Sequence, residues 1–219
     1  MVEVKGNGKI ITKEMQVSTF LRLHISAKGT TELIQSAEEK VVIEADENLM
    51  EYFDIQNAGR TLYVSSEAKL RKPCFTKCSI KIYFRQIEVL NVICDGGDVI
   101  SHVPITLTSP IEIKVQSTGN TELNLDVPAI KLISQTVGNV TLKGKCNTIE
   151  IKNQSQGNFS SKGLLAQDLK IKNMAEGDVD LFSEKTISIS HYGEGKISYS
   201  GNAVVKDIKQ YGSGPVKHC

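Results

Sequence analysis

The chain has 219 residues, a formal net charge of +1 and an apolar fraction of 40%. The near-neutral balance excludes the strongly basic footprint of a general nucleic-acid binder, and the apolar fraction excludes wholesale disorder. With 23 Ile, 18 Val and 14 Thr against 9 Ala and 16 Leu, the composition favours strands, because β-branched side chains lose χ1 freedom in a helix but pack well on a pleated surface.

The opening MVEVKGNGKI has no apolar core followed by a small-residue cleavage site, so export would rely on a signal outside this sequence. No run is long and apolar enough to predict a membrane-spanning helix. In chain order, strands are predicted over 9–12, 20–26, 31–35, 41–45, 52–56, 61–65 and 79–84, with turns at Gly29 and at Asn57-Ala58-Gly59. Asp46-Glu47-Asn48 ends one of these strands with charged, turn-prone residues. The charged stretch EAKLRK (67–72), just before Pro73, is the best candidate for a surface loop. Residues 1–85 are read as a β-rich region that caps a repeat domain over 86–219.

Seven segments of that repeat domain share a strand and a glycine turn, anchored by Gly97, Gly119, Gly138, Gly157, Gly177, Gly195 and Gly214, with spacings of 18 to 22 residues. Six residues upstream stand Asn91, Ile113, Leu132, Ile151, Ile171, Ile189 and Ile208, and two downstream Val99, Thr121, Val140, Phe159, Val179, Ile197 and Val216. Alternation with period two buries one face of each strand. Propeller blades need about twice this length, helical repeats need Ala/Leu-rich amphipathic stretches that are missing, and the leucine-rich horseshoe spacing is absent too. The prediction is an all-β, single-stranded parallel β-helix of about seven rungs. Two features fit less well: Lys206 interrupts the column eight before the anchor, and in the first rung an anchor at Gly96 would turn Leu90 inward in place of Asn91.

Polar columns accompany the apolar ones. Asp98, Asn120, Asn139, Asn158 and Asp178 come just after the anchor glycines, ahead of Lys196 and Pro215, while Gln116, Gln135 and Gln154 precede them by three. Turn geometry and axial amide stacking explain such columns; a ligand-binding row through Asn120, Asn139, Asn158 and Asp178 is the functional reading. Solenoid ends and faces are also natural sites of self-association.

Catalysis on a glycosidic bond needs converging carboxylates about 5–10 Å apart. Glu176 and Glu194 share a column on adjacent rungs, about 5 Å apart, and form the best candidate pair, with Asp178 beside them. A solvated surface pair offset by Lys196 is the simpler reading. His24, His102, His191 and His218 are scattered, with His191 read as outward or at a corner. Tyr192, Tyr199 and Tyr211 are expected to pack over the end of the column. The five cysteines include a C-x3-C pair, Cys74 and Cys78, without zinc-site spacing elsewhere. No catalytic residue, metal site or cofactor is predicted.

The opening GNGKIITKEMQVSTFLRLHIS, the stretch VVIEADENL (41–49) and the glycine turns ending in GKISYSG and YGSGPV resemble the autotransporter-adhesin head-domain family of Bacteroidetes. The resemblance spans Val4 to Val216 and implies a right-handed β-helix with a β-rich N-terminal part, export, and no established catalytic residues. Family rungs usually read S-G-S-G; here only Gly212-Ser213-Gly214 keeps that form, the others reading STGN, TVGN, SQGN, AEGD and GEGK. The function this implies is a non-enzymatic, adhesin-like exported protein, at the cell surface or in the periplasm, contacting a glycan or protein. The competing expectations are a carbohydrate-active enzyme using Glu176 and Glu194, and a small-molecule or lipid-binding module where the N-terminal region meets the first rungs.

Overall fold

The computed structural model describes residues 2–66 and 71–219, with the backbone alone for Val2 and Arg71. Four residues of the EAKLRK stretch, 67–70, lie outside the described residues. In chain order come β1 (Val2–Lys5), β2 (Ile10–Gln16), β3 (Arg22–Ser26), β4 (Gly29–Gln35) and β5 (Lys40–Asp46), then a 3-10 turn at Glu47–Tyr52. They are followed by β6 (Asp54–Ala58), β7 (Thr61–Ser65), β8 (Arg71–Cys74), β9 (Cys78–Phe84), β10 (Val89–Cys94), β11 (Gly97–Ile100) and β12 (Ile105–Thr106). The rest comprises β13 (Ile111–Ser117), β14 (Thr121–Ser134), β15 (Val140–Asn153), β16 (Phe159–Asn173), β17 (Val179–Phe182), β18 (Thr186–His191), β19 (Ile197–Ser200), β20 (Val204–Gln210) and β21 (Val216–His218).

These strands coil into a β-solenoid of about six turns. That is slightly fewer than the seven rungs expected from the sequence. Face 1 stacks β7, β3, β10, β13, the second halves of β14, β15 and β16, then β18 and β20, all in parallel. Face 2 stacks β9, β4, β11, the first parts of β14 to β16, then β17, β19 and β21. A short face 3 joins β12 to the middles of β14, β15 and β16. Stacking order departs from chain order at the N-terminal side: β3 and β4 lie between β7 and β9 on one side and β10 and β11 on the other, with Gly29 in register with Gly97.

Beyond β9, β5 and then β2 pair antiparallel, and β6 pairs antiparallel with β7. Thr12, Lys13, Glu14 and Gln16 of the outermost strand are exposed. Charged side chains on an edge strand discourage further pairing, so this end is blunted.

Inside, Leu62, Leu23, Leu90, Ile113, Leu132, Ile151, Ile171 and Ile189 form one column, none more than 1% exposed. Leu90 points inward, as the alternative register requires, because an extra residue sits at the Asp95-Gly96 turn, where Gly96 has φ +86°. Lys206 is likewise an extra residue: Ile187 pairs with Val205 and Ser188 with Asp207, so a bulge absorbs the break. Such bulges let one strand carry an additional residue without shifting the flanking side chains to the wrong face.

The anchor glycines are required by close approach. A Cβ on Gly119, Gly138, Gly157, Gly177, Gly195 or Gly214 would run into the carbonyl oxygen of the glycine one turn earlier. None of these has a positive φ.

Candidate functional site

Outward residues of face 1 align in three axial rows. The first runs Glu112, Lys131, Glu150, Lys170, Ser188, Asp207, and the second Lys114, Ile133, Lys152, Lys172, Ser190, Lys209. In the first, acids and bases alternate and pair along the axis: Lys131 Nζ lies 3.7 Å from Glu112 and Lys170 Nζ 3.9 Å from Glu150. In the second, Lys209 pairs with Asp207 at 3.0 Å. Lys114, Lys152 and Lys172 have no carboxylate partner among the described residues. Lys172 Nζ lies 5.4 Å from the centre of the Tyr192 ring.

The third row is the amide ladder. Gln116 Nε2 donates to Gln135 Oε1 and Gln135 Nε2 to Gln154 Oε1, each at 2.8 Å. Met174 continues the row, and Tyr192 and Tyr211 complete it as a stacked pair with centroids 4.8 Å apart. Tyr199 belongs to face 2, tilted against His218 at 5.0 Å. Where the chain enters face 1, small residues including Ala129, Thr148 and Thr186 leave an axial groove of about 650 Å³, walled by the first row. The lysines continue the IEIK and LKIK pattern five residues before the anchors, a signal present in the sequence but overshadowed by the apolar columns.

The residues singled out from sequence lie at a different edge, where face 1 turns into face 2. Asp98 Oδ1 accepts the backbone N–H of Asn120, and Asn120, Asn139, Asn158 and Asp178 each accept the N–H of the next residue in the column through Oδ1, at 2.7–3.0 Å. The run ends logically: Lys196 offers no side-chain oxygen, and Pro215 above it has no N–H to satisfy. Glu176 and Glu194 sit exposed just before stacked glycines on adjacent turns, as Asp178 does just after its own. The described grooves are lined by none of these residues.

Among the described residues there is no cluster of three or more His, Cys, Asp or Glu able to hold a metal. No disulfide joins the five cysteines, and burial pushes the Cys78 and Cys146 thiols up to about 12, with Asp46 adding to the effect at Cys78. Thiols held so far into the protonated form are poor nucleophiles.

His191 corrects the outward reading: it is fully buried. It continues an inward column that changes from Val92 and Val115 to Ser134, Asn153 and Asn173. Asn153 Nδ2 donates to Asn173 Oδ1 at 2.9 Å, and Asn173 Nδ2 faces His191 Nδ1 at 3.2 Å. The contact suits a neutral ring with Nδ1 accepting. Burial lowers the His191 pKa from 6.5, partly offset by backbone groups of Gly214, Gly195 and Asn173. The unfolded chain therefore binds a proton that the folded one resists, and stability falls as pH drops through and below the unfolded value. Moving from about pH 8 to about pH 5.5 is expected to lower the urea midpoint, and to lower it less in His191→Asn. Equal pH dependence in the two proteins would rule His191 out as a source.

A family model described as "Putative auto-transporter adhesin, head GIN domain" matches residues 19–203. The chain belongs to that adhesin-head family. Among solved structures, an adhesin-named protein from Bacteroides fragilis superposes with a TM-score of 0.93 at 23% identity, covering 99% of this chain and 100% of that one. A Parabacteroides distasonis protein described as lipid binding reaches 0.75 at 17% identity, covering 99% of each chain. An adhesin-named protein from Parabacteroides merdae reaches 0.70 at 21%, with both chains covered completely. At these identities the likeness establishes the fold. No curated protein matches the chain. Among the described residues no helix is long and apolar enough to cross a membrane.

Proposed function

We propose that this adhesin-head protein is a non-catalytic, extracytoplasmic binding module that holds an extended glycan or protein ligand along face 1. The carrying observation is the axial row of Lys114, Lys152 and Lys172, without carboxylate partners, beside a pre-ordered amide ladder and an open groove. Ligand groups that repeat along a chain would meet Lys152 and Lys172 one turn apart, about 4.8 Å, and Lys114 two turns from Lys152, across Ile133. Side chains already held by their neighbours lose little entropy on binding.

Other features support this reading over its rivals. Glu176 and Glu194 are adjacent but exposed, and they line none of the described grooves in which a sugar could be enclosed. Asn120, Asn139 and Asn158, exposed and held through Oδ1 by the backbone of the next turn, present a second polar row. The P. distasonis neighbour described as lipid binding raises an apolar ligand. Here Leu23, Ile25, Leu90 and Val92 pack the interior where the N-terminal strands meet the first turns, each at most 1% exposed, so among the described residues side chains occupy the place an apolar ligand would take.

The test is calorimetry against acidic and neutral polysaccharides and extracellular-matrix proteins, with Lys114, Lys152 and Lys172 changed together to Gln. The triple change is expected to weaken binding by at least about tenfold and to flatten its salt dependence. Absence of binding across the panel at high micromolar protein would overturn the proposal. Polysaccharide cleavage that is lost in Glu176→Gln or Glu194→Gln would establish the enzymatic reading instead.

A further inference from the structure

The two ends of the solenoid are unlike. The N-terminal end is closed by antiparallel strands, whereas among the described residues β20 pairs with β18 alone and β21 with β19 alone. Every residue of β20 is exposed. Val205 and Ile208 occupy the inward columns directly above Ile187 and Ile189, yet are 42% and 37% exposed while the residues beneath them are at most 1% exposed. Val204 and Tyr211 add 68% and 66% exposed apolar side chains at the same end. A free strand edge beside a clustered apolar surface is a template for another strand.

From this we propose that the C-terminal end is a homodimer interface, in which β20 pairs antiparallel with β20 of a second copy about a two-fold axis between Lys206 and Asp207. In that register Val205 faces the partner's Ile208, covering the apolar columns from both sides. Lys206 faces the partner's Asp207, so each crossing of the axis joins opposite charges. Val204 lies against the aliphatic stem of the partner's Lys209. A register shifted by one residue would instead oppose Asp207 to itself, or Lys206 to itself. Because the other end is blunted, the contact is isologous and closes at two copies; a head-to-tail contact would propagate into fibres. This inference is independent of what binds face 1.

Light scattering of the full chain across a micromolar concentration series tests it. The expected result is a dimer that dissociates on dilution, with Val205→Asp and Ile208→Lys monomeric at every concentration and unchanged in far-ultraviolet circular dichroism. Lys206→Glu is expected to raise the dimer dissociation constant by about tenfold or more, and Lys206→Glu combined with Asp207→Lys to restore it. A monomer throughout the series overturns the proposal. So does a dimer that persists in Ile208→Lys, or a charge-swapped pair that fails to recover while the single variants remain folded.

Discussion

Replacing Gly157 with Ala is expected to cost about 3 kcal/mol of stability, which for a chain of this size lowers the melting temperature by about 6–12 °C. The added methyl would press on the carbonyls of Gly138 and Val137 in the turn below. Both obstacles are backbone, so no rotamer change relieves them. Separating the two turns would stretch the Asn139-to-Asn158 contact of the neighbouring ladder. Gly163 is the matched control. Like Gly157 it has no positive φ, but it lies within β16 and would meet first the Lys143 Cγ at 3.2 Å, the flexible stem of an exposed side chain. Gly163→Ala is therefore expected to be neutral, or to gain about 0.4–1 kcal/mol from a stiffer unfolded chain. Equal melting shifts in the two variants would show that backbone crowding does not set the glycine column.

The same contrast shows what is legible in the sequence. The stacked Ile and Leu columns and the anchor glycines can be read because each turn is followed in the chain by its neighbour in space, so a physical constraint reappears at a fixed interval. Where that coupling fails, periodicity is silent. The strands β3 and β4 form a turn with Gly29 in register with Gly97, but their partners come from 61–84 and 89–100, and nothing adjacent in sequence repeats them. Gly163 pairs with Lys143, leaving Gly144 opposite Leu164, because a bulge shifts the register in between.

His191 departs from its expected place for a different reason. A histidine four residues before a glycine looks like a corner residue, and only the column beneath it, Asn153 and Asn173, supplies the buried amides that tolerate it. The polar columns are visible in the sequence, but their chemistry is only half so. An Asn column predicts stacking, whereas the donor is the next turn's backbone N–H, and that comes from three-dimensional register. The lysine row on face 1 lies among ordinary outward residues and becomes distinctive once the axial pairing has assigned Glu112 to Lys131 and Glu150 to Lys170.

In the sequence Asp46 is part of a charged turn ending a strand; the structure makes it the knot of the N-terminal end. The carboxylate is fully buried. It accepts the N–H of Gly8 at 2.8 Å, the N–H of Thr76 at 2.7 Å, the Thr76 hydroxyl at 2.5 Å and, more weakly, the N–H of Lys77 at 3.5 Å. Segments distant in sequence are thus tied to the end of β5, and a side chain on Gly6 would collide with the carboxylate. Asp46→Ala leaves those donors buried without an acceptor and is expected to cost about 4 kcal/mol, or about 8–16 °C in melting temperature. Asp46→Asn keeps one acceptor oxygen but turns an amide NH2 toward backbone donors, so its loss should be smaller. The pH dependence separates charge from shape. Burial raises the Asp46 pKa, but the hydrogen bonds from Thr76, Gly8 and Lys77 outweigh it and hold the value below 3.8. On acidification the unfolded chain takes up this proton first, so the contribution is present above about pH 3.8 and is lost as pH falls through the folded-state value. Wild type should therefore lose stability in that acidic window more steeply than Asp46→Asn, whose amide does not titrate. Parallel acid limbs for the two proteins would show that the carboxylate's charge contributes nothing beyond its shape.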